Sequence, residues 1–239
     1  VKGLQEINLQ SKSILLVILL AATLGCLSLG VYVRHYTSRP IYLFLNWDVF
    51  LAWVPAFFSL LIDFVFVYIK KYRLVRTLLL LPLGLMWLFF YPNAAYLITD
   101  MLHPFIHYRS NANGSFILDL EFWYHLILFF TAALIGLFLS IYSLYSVQEL
   151  VRQSFGRLMS WLFAVCVLAL SSFGIYIGRF IRWNSWDVIM KPKAIVRDLH
   201  SILTDTAQLH LLLPFTALIF AVSLLGYSFV YGFTYLKRL

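Results

Sequence analysis

Apolar residues run along this chain in long, nearly unbroken blocks, and the polar residues collect between them. Six blocks, near 13–33, 47–69, 75–91, 122–147, 158–178 and 211–236, are long enough to cross about 30 Å of hydrocarbon as helices. The third is the shortest and contains Pro82, which predicts a kink there. Between the fifth and sixth, Ile195, Leu199, Ile202 and Leu203 keep helical spacing after Pro192, the pattern of an amphipathic helix lying on the membrane surface. The predicted fold is an all-α, polytopic membrane helix bundle of one domain, with about six transmembrane helices plus that surface helix.

Composition strengthens this picture. Of 239 residues, 62% are hydrophobic and only 12% charged, about half the charged share of a soluble domain. Mean hydropathy is +0.87. Apolar surface is then satisfied by lipid and by helix–helix contact. Cys26 and Cys166 both fall inside apolar runs, where they act as small hydrophobes and imply neither a disulfide nor a zinc site. "TLGC" (23–26) resembles a bacterial lipoprotein cleavage site, but Thr23 stands where an aliphatic residue is needed. The apolar run also continues through Val33, so the reading is an uncleaved first membrane helix.

The net charge of +8 could suggest nucleic acid. The basic residues instead sit in short clusters at the ends of apolar runs, as topology signals and anionic headgroup contacts do, and no nucleic-acid partner is expected. With the N-terminus inside, Lys2, Lys12, Lys70, Lys71, Arg73, Arg76, Arg152, Arg157, Lys237 and Arg238 are cytoplasmic. Arg34, Arg39, Arg109, Arg179, Arg182, Lys191, Lys193 and Arg197 lie outside. The short loops decide the orientation. "KKYRLVR" (70–76) is a dense positive anchor, whereas the next loop sets Asp100, Asp119 and Glu121 against Arg109. Both termini are expected in the cytoplasm. The loop after the fifth run breaks the rule by holding five basic residues outside, and that asks for a local reason.

Three non-adjacent segments converge on one membrane face in this topology. "NWD" (46–48) opens the second span, "YPNAAYLITDMLH" (91–103) closes the third and "GRFIRWNSWD" (178–187) closes the fifth. Together they deliver Asp48, Asn93, Tyr96, Asp100, His103, Arg179, Arg182, Asn184 and Asp187. If the fifth helix continues, residues 179, 182, 183 and 186 form one stripe, with Trp183 and Trp186 placed for cation–π contact beside the arginines. Two guanidinium forks a turn apart suit a phosphate or carboxylate. Gly174 and Gly178 form a small-xxx-small pair that lets a neighbouring helix approach. An alternative stays open: interfacial aromatics with arginines that only neutralise Asp48, Asp100 and Asp187 in a structural network.

Lesser signals are Asp100, His103 and His107, which share a helical face but are interrupted by Pro104, so no metal site is expected. Asp63, inside the second span, is expected to reach Lys70 as a snorkelled ion pair. His125, His200 and His210 read as isolated. No phosphate-cradling glycine loop, G-x-S-x-G elbow or H-E-x-x-H is present, and no cofactor is expected.

The stretches "NWDVFLAWVP" (46–55), "WLFFYPNAAYLITDMLH" (87–103) and "GIYIGRFIRWNSWDVIMKP" (174–192) resemble the bacterial integral-membrane family catalogued as domain of unknown function 1361. The resemblance runs from about residue 40 to about 235. It implies a polytopic bacterial membrane protein and supplies no reaction. The chain departs from the family pattern at Ala95, where proline is favoured, and at Asp48, where asparagine is expected. The residues themselves lead to a plasma-membrane protein with an outward-facing polar site for an anionic, phosphate-bearing lipid or envelope substrate. There Arg179 and Arg182 would clamp the anion, and Asp100 with His103 would supply acid or base. Two other readings stay open: a non-catalytic subunit of another membrane protein, and a transporter. The apolar middle of the spans weighs against a transporter.

Overall fold

A backbone inside hydrocarbon has no water to bond, so each apolar run must satisfy its own amides by coiling. The computed structural model describes residues 2–69, 72–107, 119–183 and 190–236, and every described element is helical. In chain order these are α1 (Lys2–Thr37), α2 (Phe44–Tyr68), α3 (Arg73–Phe90), α4 (Pro92–Tyr96), a 3-10 turn (Leu97–Leu102) and α5 (His103–His107). Then come α6 (Leu120–Phe155), α7 (Arg157–Tyr176), a π turn (Ile177–Ile181), α8 (Pro192–Thr204) and α9 (Thr206–Leu236). Among the described residues, six stretches are long and apolar enough to cross a membrane. The protein is a multi-pass membrane helix bundle.

The bundle is organised around α6, which touches α1, α2, α4 and α7. Its sequence explains why. Ala132, Gly136, Ser140 and Ser143 are buried and recur at three- or four-residue spacing, forming a seam of small side chains that neighbouring backbones can approach closely. Polar groups on this seam tie helices together. The Trp87 indole donates to the Ser143 hydroxyl at 2.6 Å, and that hydroxyl donates to the Pro55 carbonyl at 3.1 Å, joining α3, α6 and α2. At the start of α6 the Asp119 carboxylate caps the helix by accepting from the Glu121 amide at 3.0 Å. At its end Gly156, at φ 88°, supplies the left-handed turn into α7.

One expectation is corrected here, and the partner of Asp63 is identified. The third span does not stop near residue 91. α3 runs as helix through Pro82, and after Tyr91 the helical backbone continues as α4 and the 3-10 turn packed against α6, so the apolar stretch extends to Ile106. Asp63 pairs with Lys12, which the sequence reading did not anticipate: the Lys12 ammonium lies 2.6 Å from its Oδ2, and the Ser146 hydroxyl donates to the same oxygen at 2.5 Å. Lys70, the partner expected from the sequence, lies outside the described residues. α1 and α6 bring their side chains in sideways, which keeps the carboxylate buried and satisfied.

The amphipathic surface helix is present as α8. Pro192 occupies its first turn, where a missing amide costs nothing. Ile202 anchors it by packing with Tyr176 and Leu212, while the side chain of Leu203 lies outside the described part. Of the residues used for orientation, Lys70, Lys71, Arg109, Lys237 and Arg238, and the side chain of Lys2, also lie outside it.

Candidate functional site

The site begins where the helical chain continues past α3. Pro92 lacks an amide hydrogen and sits at the first position of α4, where none is required. The following residues divide by side. Ala94, Ala95 and Leu97 are buried against the bundle, while Asn93 and Tyr96 turn toward a cavity. A 3-10 turn within a membrane span is tolerated where protein covers it. Here Leu97, Thr99 and Asp100 are buried. α4 is held tightly to α6, since a Cβ on Gly136 would stand only 2.2 Å from the Ala94 carbonyl oxygen.

The end of α7 completes the site. Gly174 and Gly178 perform the close approach their spacing suggested: an added Cβ would meet Pro92 at 3.0 Å and the Tyr96 ring at 3.3 Å, respectively. The continuous arginine stripe does not form. Residues 177–181 widen into a π turn, and Arg182 ends it in the left-handed region at φ 62°, its amide bonded to the Ile177 carbonyl. The extra residue in that turn separates the two guanidinium groups. Arg179 turns inward, and its Nη1 donates to Asp100 Oδ1 at 3.1 Å, with the Asp100 side chain only 2% exposed. Arg182 is exposed and lines the cavity, with no hydrogen bond or ion pair among the described residues.

Asp100 therefore has a dedicated partner. Its other oxygen, Oδ2, is buried with no hydrogen-bond partner among the described residues. His103 donates from Nδ1 to the Asp100 backbone carbonyl at 2.9 Å and lies 3.6 Å from Oδ1. Tyr96 stands close to Arg179, and Asp48 stands near enough to feel the charges of both Arg179 and Asp100. Asp48 itself is half-buried on the cavity wall and makes no hydrogen bond among the described residues.

These groups surround a cavity of about 860 Å³ between α2, the end of α3, α4, α7 and α8. Asp48, Asn93, Tyr96, His103, Arg179 and Arg182 line one part, and Trp47 and Trp183 contribute indole walls. Leu51, Leu88, Phe89 and Leu170 line the rest, and Ile195 and Leu199 of α8 close over it. Along α7 the lining runs from Leu170 to Arg179, which at about 1.5 Å per residue is roughly 13 Å of depth.

The family model described as protein of unknown function (DUF1361) matches residues 47–222. The chain belongs to that family. No curated protein and no solved structure matches it. In this DUF1361 chain every residue lining the cavity falls within the matched segment, whereas α1 and Lys12 lie before it.

The structure thus brings together Asp48, Asn93, Tyr96, Asp100, His103, Arg179, Arg182 and Trp183 from the positions the sequence singled out. Asn184, Trp186 and Asp187 lie outside the described residues, as does the side chain of His107. His125, read as isolated, is instead part of a buried clasp beside the site. The Tyr42 hydroxyl meets its Nδ1 at 2.6 Å, and its Nε2 lies 3.7 Å from Glu121. Burial, and then the nearby Glu121 carboxylate, hold the Tyr42 phenol well above its ordinary range, so it stays protonated and donates. Phe129 stacks on His103 with centroids 5.3 Å apart and meets Tyr42 edge-on at 4.7 Å, linking the clasp to the site.

Proposed function

We propose that this protein lies in a bacterial plasma membrane with both termini cytoplasmic, and that its pocket opens outward to bind the phosphate of a lipid headgroup. The observation that carries the reading is Arg182, a guanidinium on the cavity wall without a partner among the described residues. A planar guanidinium pairs with phosphate through two parallel hydrogen bonds. The two-arginine clamp is not retained in this reading, because the π turn breaks the stripe and Arg179 shares its charge with Asp100. Binding is favoured over processing for a related reason. Asp100 lies behind Arg179 with its side chain only 2% exposed, away from the cavity wall, and Nδ1 of His103 serves a backbone carbonyl. The apolar depth beyond the polar part suits a hydrocarbon tail and favours a lipid over a water-soluble phosphate.

Two experiments test this. Arg182→Gln is expected to weaken retention of a short-chain phosphatidic acid, read by native mass spectrometry, by roughly tenfold or more, the worth of a charge-assisted hydrogen bond. Arg182→Lys should recover part of it, keeping charge without the fork. Unchanged retention in Arg182→Gln overturns the phosphate site. For orientation, a variant lacking Cys26 and Cys166 takes a single cysteine at Ser38 or at Ser154, both exposed and at opposite ends of the bundle. In intact cells a membrane-impermeant thiol reagent should label position 38 and spare 154, and the reverse pattern would place the pocket in the cytoplasm.

A further inference from the structure

The phosphate reading uses one charge of the cavity and leaves another unexplained. Among the described residues, the cavity wall carries three groups of fixed charge type: Asp48, Arg179 and Arg182. Arg179 is neutralised from behind by Asp100, at 3.1 Å. What remains facing the cavity is one guanidinium, Arg182, and one carboxylate, Asp48. Neither has a hydrogen-bond partner among the described residues.

A half-buried carboxylate without donors is costly, because it has given up part of its hydration and received nothing in return. Arg179, whose Nη1 donates to Asp100, makes no hydrogen bond to Asp48 among the described residues. A purely anionic headgroup would make matters worse by adding a like charge to the same cavity. A headgroup carrying both a phosphate and a protonated amine would satisfy both groups at once.

We infer that the preferred ligand is a zwitterionic aminophospholipid of the phosphoethanolamine class, its phosphate on Arg182 and its primary ammonium on Asp48. This rests on the phosphate reading above and adds the second charge to it. A primary ammonium brings three N–H donors to the carboxylate. A quaternary ammonium brings none, and could be held only against the indole faces of Trp47 and Trp183. The headgroup's nitrogen chemistry therefore distinguishes the two modes.

The test compares short-chain phosphatidylethanolamine, phosphatidylcholine and phosphatidylglycerol on the full chain in detergent, by native mass spectrometry. Phosphatidylethanolamine is expected to bind roughly tenfold more tightly than the other two. Asp48→Asn should erase that advantage while leaving phosphatidylglycerol bound as well as before or better, because a like charge has gone. Arg182→Gln should weaken all three. Phosphatidylcholine or phosphatidylglycerol binding as tightly as phosphatidylethanolamine, or an advantage that survives Asp48→Asn, overturns the ammonium assignment. Provided Arg182→Gln still weakens binding, the phosphate site stands. If Arg182→Gln leaves all three lipids unaffected, it is the phosphate site itself that falls, and the assignment with it.

Discussion

Arg179→Gln is expected to destabilise the protein by about 3 kcal/mol, and adding Asp100→Asn to the same chain should recover most of that loss. Breaking a buried ion pair from one side costs about 3–5 kcal/mol, because the remaining charge has neither water nor partner. The lower end applies here, since the Arg179 side chain is 19% exposed while that of Asp100 is 2% exposed. Oδ2 of Asp100 already lacks a hydrogen-bond partner among the described residues, so losing the Oδ1 contact strips the carboxylate of its main support. With asparagine at 100 there is no charge left to strand. The measurement is the thermal midpoint in detergent for the two single variants and the double. Additive losses in the double would mean that the two side chains act independently, and the ion pair would cease to be a structural element of the site.

This result bears on how much of the molecule could be read from its residues. The six spans were legible because bilayer thickness fixes a length and the apolar runs meet it. The convergence of "NWD", "YPNAAYLITD" and the arginine segment was legible too, because alternating spans place their polar ends on alternate faces. The roles of individual charges were not. Arg179 and Arg182 are three apart, which in an α-helix puts them on one side. The π turn and the left-handed Arg182 send one inward and leave the other exposed, and the local sequence gives no signal of that turn. Lys12 was assigned to the membrane boundary, although α1 and α6 run side by side and bring it to Asp63. Long-range partners of this kind depend on which helices are neighbours, and hydropathy is silent on that point.

One signal was present and went unused. Ala132, Gly136 and Ser140 recur every four residues in α6, the spacing of a seam that accepts a neighbouring backbone. The pocket depends on that seam. Asn93, Tyr96 and Asp100 belong to α4 and the 3-10 turn, whose buried side, Ala94 and Leu97, lies on Gly136. The polar residues that give the cavity its chemistry are therefore positioned by a glycine that never touches it.

Gly136→Ala should accordingly destabilise the protein by about 2 kcal/mol and weaken lipid retention as well. The new Cβ would fall 2.2 Å from the Ala94 carbonyl oxygen, 2.9 Å from Leu97 Cδ1 and 3.0 Å from Leu97 Cβ. The first of these is backbone in a short helix, so no side-chain rotation relieves it. α4 and the 3-10 turn must move off α6, carrying Asn93, Tyr96 and Asp100 with them. Alanine's better helix propensity offsets about 1 kcal/mol, whereas forcing extra volume into a close-packed contact costs about 1–3 kcal/mol and sometimes more. The clash wins because the backbone oxygen cannot retreat alone. Gly84→Ala is the control: it lies inside α3 with nothing within 4 Å of its added Cβ, so propensity alone acts and the midpoint should hold or rise. Gly178→Ala should fall between them, since the Tyr96 ring at 3.3 Å can yield by a few tenths of an ångström. Thermal midpoints and phosphatidic-acid retention on the three variants test the order. Equal midpoints for Gly136→Ala and Gly84→Ala would show that α4 is not seated on α6, and the pocket would lose the surface that shapes it.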